Sequence, residues 1–250
     1  MRASPTTQDG ELLREARLHE RAAVVLAADV VSGRLARGDA FPSAEELVQR
    51  FGFSRTVARE VLQTLSMLGL VRVQHGKRTE VRPQEDWNFL SPVMQEALRR
   101  ENQLEPVWRD LYDFRLVVEP QAAAWMAARG SDRDLARLAG LAAEIRILAE
   151  DASNVQRVLM ADQAFHQLIG QGSTNRILAG VNRSFWDAVS VLWLESESRL
   201  SPGELAAVAE QHQQIADAIT RRDPEGAAAA MESHLKAAFA VDVGSLSMST

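Results

Sequence analysis

The chain has 250 residues, of which 46% are apolar and 25% charged, so it is long enough for two modest domains with sizeable cores. It contains no cysteine, which excludes disulfides and thiolate metal ligands and favours a reducing cytoplasm. The polar N-terminus lacks a signal-peptide pattern, and charges interrupt every apolar run before the ~20 residues of a membrane span. We therefore expect a cytoplasmic protein without membrane contact.

The net charge of −6 conceals an asymmetry along the chain. Residues 1–83 carry 13 basic and 10 acidic side chains, whereas residues 84–250 carry 15 and 24. Within residues 50–82 alone, seven basic side chains stand against two acidic ones. The charge pattern fits a polyanionic partner for the N-terminal part, and on composition alone it fits a solvated charged face equally well.

Three helices are predicted in the N-terminal part, after a flexible tail over residues 1–17. Gly33 is positioned to end the first helix, and Ser43 and Glu46 have the spacing of a capping box that starts the second. Ser54 precedes the apolar stripe of the third helix and is predicted to cap it. The predicted ranges are Leu18–Ser32, Ser43–Arg50 and Arg55–Leu68.

The second and third helices are joined by the short turn Phe51-Gly52-Phe53, which is typical of a helix-turn-helix unit. In such a unit the second helix enters the major groove of DNA by its N-terminal end. A small β-hairpin wing follows, with strands predicted over Val71–Val73 and Thr79–Val81. The predicted DNA-binding residues are Ser43, Ser54, Arg55, Thr56 and Arg59 in the helical unit and His75, Gly76, Lys77 and Arg78 at the wing tip.

Four spaced segments in this part resemble the winged helix-turn-helix of the GntR family of bacterial transcription regulators. They are Phe41-Pro42-Ser43, residues 54–60, Gly69-Leu70-Val71 and residues 76–81. The resemblance covers residues 18–83 and implies DNA binding by this domain. Two departures, Glu45 in place of a frequent DNA-contacting arginine and Arg78 in place of a second wing glycine, mean that an operator sequence does not carry over from the family.

The rest of the chain, residues 84–243, is predicted to be an all-α bundle. Pro83–Asp86 is the expected linker, since a proline ends the last strand and the sign of the net charge changes there. From Trp87 onward the apolar spacing is helical, with breaks that indicate six or seven helices. A P-loop, a dinucleotide-binding glycine fingerprint and a Gly-x-Ser-x-Gly elbow are absent from the sequence.

Four polar residues lie inside apolar helical stripes in this bundle. Asp162 and His166 are one turn apart on one predicted helix, and His212 and His234 interrupt the stripes of two others. Each histidine by itself is more often a satisfied core residue. Together the four groups are costly to bury unless something compensates them, and a divalent metal does so in one place. This ligand set suits Zn²⁺, with Ni²⁺ and Mn²⁺ as alternatives.

The arrangement of Asp162, His166, His212 and His234 resembles the metal site of the FCD ligand-binding domain, which defines the FadR subfamily of GntR regulators. The resemblance implies a homodimer on palindromic DNA, a small organic acid effector, and more often repression than activation. It also implies effector binding by Arg115 and Asn175. For Arg115, an i, i+4 salt bridge with Glu119 is an equal alternative.

Two further interpretations remain beside a metal that takes part in sensing. In the first, the metal is a structural staple of a DNA-binding regulator. In the second, the cluster is the site of a metal-dependent hydrolase. A separate buried acid or base near the ligands does not stand out in the sequence, which disfavours the hydrolase.

Overall fold

The computed structural model of the chain describes the backbone of residues 7–74, 76–196 and 200–247. These residues are mostly helical, with one small two-stranded sheet, which confirms the predicted fold class. The chain divides into two compact units, and the division falls between Leu104 and Glu105. Each unit is described separately.

The first unit combines helices with an antiparallel hairpin. Its described elements are α1 (Thr7–Val31), α2 (Ala44–Phe51), α3 (Arg55–Met67), β1 (Val71–Arg72), β2 (Glu80–Val81) and α4 (Pro92–Arg100). Helix α1 packs against α3 and α4, and α2 packs against α3. Leu26 of α1 and Val61 and Leu65 of α3 are fully buried, so the core of this unit lies between its helices.

Helices α2 and α3 begin at the residues predicted to cap them. The Ser43 hydroxyl accepts a hydrogen bond from the N–H of Glu46 (3.2 Å), and the N–H of Ser43 donates to the Glu46 carboxylate (2.7 Å), which completes a capping box. Gly52, with a φ of 70°, ends α2, and the Ser54 hydroxyl accepts from the N–H of Val57 at 3.2 Å. The predicted helix-turn-helix is confirmed.

Helix α1 begins at Thr7, so the predicted start at Leu18 was wrong. Residues 11–17 are leucine, alanine, glutamate and arginine, which are strong helix formers, and the chain has no proline or glycine between Gly10 and Gly33. Nothing in this segment ends the helix, so it extends through residues 7–17, which were predicted as part of the flexible tail. The predicted C-terminal end is confirmed, because Gly33 follows the helix with a φ of +78°.

The wing consists of β1 and β2, which pair Val71 with Val81 and Arg72 with Glu80. Both strands are shorter than predicted. Val73 is 47% exposed and has little core to pack against. The carbonyl of Thr79 instead accepts a hydrogen bond from the N–H of Phe41 at 2.9 Å, outside the hairpin.

The predicted linker Pro83–Asp86 folds within the first unit. Gln84–Asp86 form a short 3₁₀ helix that lies against Gly69, where a Cβ atom would come within 1.9 Å of the carbonyl oxygen of Asp86. Helix α4 follows before the chain enters the second unit. That the DNA-binding domain ends at residue 83 stays a prediction.

The second unit is a helical bundle. Its described helices are α5 (Leu104–Arg129), α6 (Asp132–Leu148), α7 (Val155–Gly172), α8 (Arg176–Ser196), α9 (Pro202–Thr220) and α10 (Pro224–Ser247). Helix α6 packs against α7 and α9, α9 packs against α10, and α7 packs against α8. With α4, the described residues after Trp87 form seven helices, which agrees with the predicted six or seven.

The starts of α9 and α10 are set by local hydrogen bonds. Ser201 and Glu204 form a second capping box, and Pro202 occupies the first turn of α9, where its missing N–H costs nothing. The carboxylate of Asp223 accepts from the N–H of Gly226 at 2.9 Å at the start of α10. These caps fix where His212 and His234 fall along their helices.

Candidate metal centre and DNA-binding surface

Four buried side chains from three helices converge inside the second unit. Asp162 and His166 lie one turn apart on α7, His212 lies on α9, and His234 lies on α10. One ligand atom of each lies within 4.8 Å of the others, and none of the four residues is more than 4% exposed. The structure thus brings together the four residues that the sequence predicts as metal ligands.

Each of the three imidazoles is held at Nδ1 by an oxygen that can only accept. Nδ1 of His166 donates to the Glu119 carboxylate (2.5 Å), and Nδ1 of His212 donates to the backbone carbonyl of Val208 (2.8 Å). Nδ1 of His234 donates to the amide oxygen of Gln211 at 3.0 Å. In its neutral form an imidazole carries one N–H, so each ring held in this way would have a lone pair at Nε2 to offer to a metal.

The resulting arrangement places acceptor atoms against one another. Nε2 of His212 lies 2.8 Å from Oδ1 of Asp162, and Nε2 of His166 lies 3.7 Å from the same oxygen. Among the described residues, Oδ2 of Asp162 and Nε2 of His166 have no hydrogen-bond partner. Buried acceptors without donors are unfavourable unless a cation lies between them. Three imidazole nitrogens and one carboxylate therefore fit a divalent metal ion.

The protonation states of the buried groups suit metal binding. Burial favours the neutral form of Glu119, but the charge of Arg115 and the hydrogen bonds that Arg115 and His166 donate outweigh it and lower the pKa of Glu119 to about 2. Burial is the first cause that lowers the pKa of His234 well below 6.5. At neutral pH Glu119 is ionised and His234 is neutral.

Arg115 lies beside this cluster and is almost completely buried. Its Nε donates to Oε1 of Glu119 at 2.7 Å, which is the i, i+4 salt bridge that the sequence allows. Its guanidinium carbon lies 4.6 Å from the ring centre of Trp186, and that ring stacks on His166 with centres 5.0 Å apart. Arg115 is thus connected to His166, a predicted metal ligand, through both Glu119 and Trp186. Its role in effector binding stays a prediction.

Asn175, the second residue predicted to bind an effector, caps α8. Its side-chain oxygen accepts from the N–H groups of Ile177 and Leu178, both at 3.1 Å. The residue before it, Thr174, has a φ of 58°, a conformation that is unfavourable for a β-branched side chain. An effector role for Asn175 also stays a prediction.

Most of the residues predicted to contact DNA lie on the surface of the first unit. Arg55, Thr56 and Arg59 are exposed along the first turns of α3. Gly76, Lys77 and Arg78 are exposed in the wing, and His75 lies outside the described residues. The hydroxyls of Ser43 and Ser54 accept from the backbone of their own helices.

The wing lies close to the start of α2. Hydrogen bonds from Ser43 lower the pKa of Glu46, and the positive charge of Arg78 lowers it further. Arg78 of the wing therefore lies near enough to the start of α2 to act on Glu46. The exposed side chains of Arg55 and Arg59 on α3 and of Lys77 and Arg78 in the wing supply positive charge that attracts a DNA backbone.

Comparison with known proteins identifies both parts of the chain. Residues 18–81 match the family described as bacterial regulatory proteins, gntR family, and residues 110–237, about half of the chain, match the FCD domain. The chain belongs to the GntR family and carries an FCD domain.

Relatives of this GntR regulator extend along most of its length. It is 29% identical over 211 residues to the uncharacterized HTH-type transcriptional regulator YieP of Escherichia coli (strain K12), covering 84% of this chain and 89% of the relative. It is 26% identical over 217 residues to the galactonate operon transcriptional repressor of the same strain, covering 83% and 89%. The solved structure of Lar, which controls the expression of the Listeria monocytogenes agr system, shares the fold with a TM-score of 0.57 at 15% identity, covering 87% and 93%.

These matches establish a DNA-binding transcription regulator. Both domains are those of regulators and not of enzymes, so the hydrolase interpretation is excluded. In the part of the GntR regulator that the structure describes, every helix is too short or too polar to cross a membrane.

Sequence reasoning missed three residues that contact the predicted metal ligands of this GntR regulator. Glu119 was considered only as a partner of Arg115, and its second oxygen holds His166. Asn182 is 2% exposed and donates to the backbone carbonyl of His166 at 3.0 Å. Its position in the apolar stripe of α8 could have indicated from the sequence that it is a buried polar residue. Gln211 gave no such signal, because its contact with His234 depends on how α9 and α10 pack.

Proposed function

We propose that this GntR regulator is a metal-dependent, effector-responsive repressor of the FadR subfamily. It binds a palindromic operator as a homodimer and loses affinity for it when a small organic acid binds at or near a divalent metal in the FCD domain. The observation that carries the proposal is the convergence of three Nε2 lone pairs and the Asp162 carboxylate in one buried cluster.

The DNA-binding part of the proposal assigns roles to four exposed basic residues of the first unit. Arg55 and Arg59 are one turn apart on α3, a spacing that lets both reach base edges or phosphates in the major groove. Lys77 and Arg78 of the wing contact an adjacent phosphate backbone. A two-fold dimer places two copies of α3 on two half-sites, so the operator is palindromic.

The metal part assigns the ligands Asp162, His166, His212 and His234. Zinc is the metal that this set fits best, with nickel and manganese as alternatives. If the ion is five- or six-coordinate, oxygen atoms of an effector would occupy the positions that these four residues leave open. The protein's own contribution is to direct three imidazoles inward through Glu119, Val208 and Gln211.

The effector part rests on Arg115 and Asn175. A small carboxylate fits the planar fork of an arginine, and it would compete with Glu119 for Arg115. Glu119 also accepts the hydrogen bond of His166. A carboxylate that displaced Glu119 from Arg115 would therefore disturb a proposed metal ligand. Contact with Asn175 would act on the start of α8, the helix that it caps. An effector that binds one conformation better shifts the population toward it.

The relatives along most of the chain include the galactonate operon transcriptional repressor and the Glc operon transcriptional activator, each 26% identical, so they do not decide the direction of regulation. Repression is proposed because it is the mode that the family resemblance more often implies. The effector class follows from the positive charge of Arg115 and the metal, both of which attract carboxylates. Hydroxy acids, sugar acids and dicarboxylates are the compounds to test.

The experiment is a gel-mobility shift of DNA that the wild-type protein selects from a random-sequence pool. A thermal-shift screen first identifies acids that bind the zinc-loaded protein. We expect such an acid to release the wild-type protein from DNA, and we expect no release after chelation or with His212→Ala. Gln214→Ala, an exposed change on the same helix, is the control that should respond normally. A full response by both the chelated protein and His212→Ala would contradict the proposal.

A metal that only stabilises the bundle is the second candidate, and the near-complete burial of all four ligands favours it. Titration calorimetry of the selected acids against metal-free and zinc-loaded protein separates the two. Equal affinity in both states supports a structural metal. Binding that requires zinc supports sensing at the metal.

A further inference from the structure

The three imidazoles of the cluster are anchored by three chemically different acceptors. Val208 supplies a carbonyl from the preceding turn of the same helix, which any helical residue at that position would supply. Glu119 and Gln211 are side chains from helices other than those of the histidines they hold. These two contacts therefore depend on the identity of a particular residue.

Gln211 occupies an unusual place in the cluster. It directly precedes His212 on α9, is half-buried, and reaches across to Nδ1 of His234 on α10 at 3.0 Å. One stretch of α9 thus provides one ligand and orients a second ligand on the neighbouring helix. Helices α9 and α10 pack directly against each other, so a short side chain can make this link.

The position of the single ring proton decides whether His234 can bind a metal from Nε2. With the proton at Nδ1, Nε2 presents a lone pair toward Asp162, His166 and His212. With the proton at Nε2, the ring presents a donor to the cluster, and the lone pair faces Gln211. An acceptor at Nδ1 selects the first form and also fixes the ring orientation.

We propose that Gln211 is a positioning residue that holds the N–H of His234 at Nδ1 and so directs its Nε2 to the metal, as Glu119 does for His166. This inference rests on the metal centre of the proposed function. It assigns the outer partner of His234 to a neutral amide and that of His166 to a carboxylate. The conservative change Gln211→Glu is therefore expected to strengthen the hydrogen bond that orients His234.

The test uses the full-length protein with three variants on α9. Gln211→Leu keeps a similar volume and removes the acceptor, Gln211→Glu keeps an acceptor and adds charge, and Gln214→Leu is an exposed control. Because Gln211 is only half-buried, the variants are expected to fold, and circular dichroism checks this. Two properties are measured: the imidazole tautomer of His234 by nitrogen-15 NMR of the metal-free protein at pH 7.5, and the affinity for Zn²⁺ by competition with a chelator.

In the wild type and in Gln214→Leu we expect a protonated Nδ1 and an unprotonated Nε2 on His234. Gln211→Leu should lose this tautomer preference and bind Zn²⁺ about 10- to 100-fold more weakly, the usual effect of removing an outer partner. Gln211→Glu should restore the tautomer and bind Zn²⁺ at least as tightly as the wild type, because a carboxylate makes the imidazole more basic.

An unchanged tautomer and an unchanged Zn²⁺ affinity in Gln211→Leu would overturn the inference. A wild-type protein that binds no Zn²⁺ would overturn the proposed metal centre instead. In that case the NMR measurement on metal-free protein still decides whether Gln211 orients His234. The two failures are therefore distinguishable.

Discussion

Nε2 of His212 lies 2.8 Å from Oδ1 of Asp162, although the backbone carbonyl of Val208 holds the ring proton of His212 at the opposite nitrogen. In the neutral form of His212, two acceptor atoms thus meet in the interior of the bundle. A cation relieves this contact, and it also compensates the buried charge of Asp162. The stability of the FCD domain should therefore depend on metal.

We expect Zn²⁺ to raise the melting temperature of protein that has been stripped with a chelator. A ligand present at about 1,000 times its dissociation constant stabilises the folded state by about 4 kcal/mol, which corresponds to a shift of roughly 10 °C for a domain of this size. Differential scanning fluorimetry with Zn²⁺, Ni²⁺ and Mn²⁺ measures the shift. His212→Ala should reduce it strongly, and an identical melting temperature with and without all three metals would argue against the site.

Arg59→Ala should weaken DNA binding without changing the fold, because Arg59 is exposed on α3. Loss of a base or phosphate contact costs about 1–3 kcal/mol, or roughly a 5- to 100-fold loss of affinity. Fluorescence anisotropy with the selected operator at several salt concentrations measures this loss. Arg137→Ala, an exposed arginine on α6, is the control, and equal effects of the two changes would contradict the assignment of α3 to the groove.

Ser54 allows helix capping and DNA contact to be separated. Ser54→Ala removes the oxygen that accepts from the N–H of Val57 and should cost about 1 kcal/mol of stability. Ser54→Asp keeps a good capping group, so the stability should be retained, but its negative charge faces the DNA phosphates. We expect this variant to fold normally and to bind the operator weakly. Urea unfolding and anisotropy test the two effects, and tight DNA binding by Ser54→Asp would remove Ser54 from the interface.

A comparison of Gly69 and Gly38 separates the cost of a positive φ from the cost of a steric clash. Both have a φ near +80°, but only a Cβ at Gly69 would meet the carbonyl of Asp86, whereas nothing lies within 4 Å at Gly38. Gly38→Ala should cost about 1–2 kcal/mol from backbone conformation alone. Gly69→Ala should cost roughly 1–3 kcal/mol more, because the close approach must be relieved. Urea unfolding of both variants measures the difference, and equal losses would show that the 3₁₀ turn moves away without cost.

The metal-free protein should lose stability in two steps as the pH falls. The pKa of His234 is lowered well below 6.5 in the folded state, so folding resists its protonation and stability declines once the pH drops below about 6.5. The pKa of Glu119 is lowered to about 2, so its contribution is present above pH 4.5 and declines from there toward pH 2. Urea unfolding in the presence of a chelator follows both steps. His234→Gln should lack the first step, and its persistence in that variant would assign it to another group.

The local elements were predictable because their causes lie within a few residues. Both ends of the turn between α2 and α3 follow from Gly52 and Ser54, and the capping box at Ser43 needs only Glu46. The same holds for Asp162 and His166, whose spacing of four places both on one face of α7. The start of α1 was misjudged, although the strong helix formers of residues 11–17 favour a helix there.

Contacts between side chains on different helices could not be predicted from the sequence. Glu119 and His166 are 47 positions apart, and Gln211 and His234 are 23 apart. Whether such residues meet depends on the rotation of each helix about its axis and on the packing of its neighbours. The local periodicity shows which face of a helix is buried. It does not show which atom of a neighbouring helix each buried side chain contacts.

The sequence by itself determined the helical character of the chain, the position of the helix-turn-helix and the four residues that face the core of the bundle. Those features arise from hydrogen bonds and hydrophobic spacing within one or two helical turns. Only the tertiary structure decided which oxygen holds each imidazole and that the free nitrogens face one point. The reason is that the tautomer and orientation of a buried histidine are set by the atom that packs against it, and that atom comes from another part of the chain.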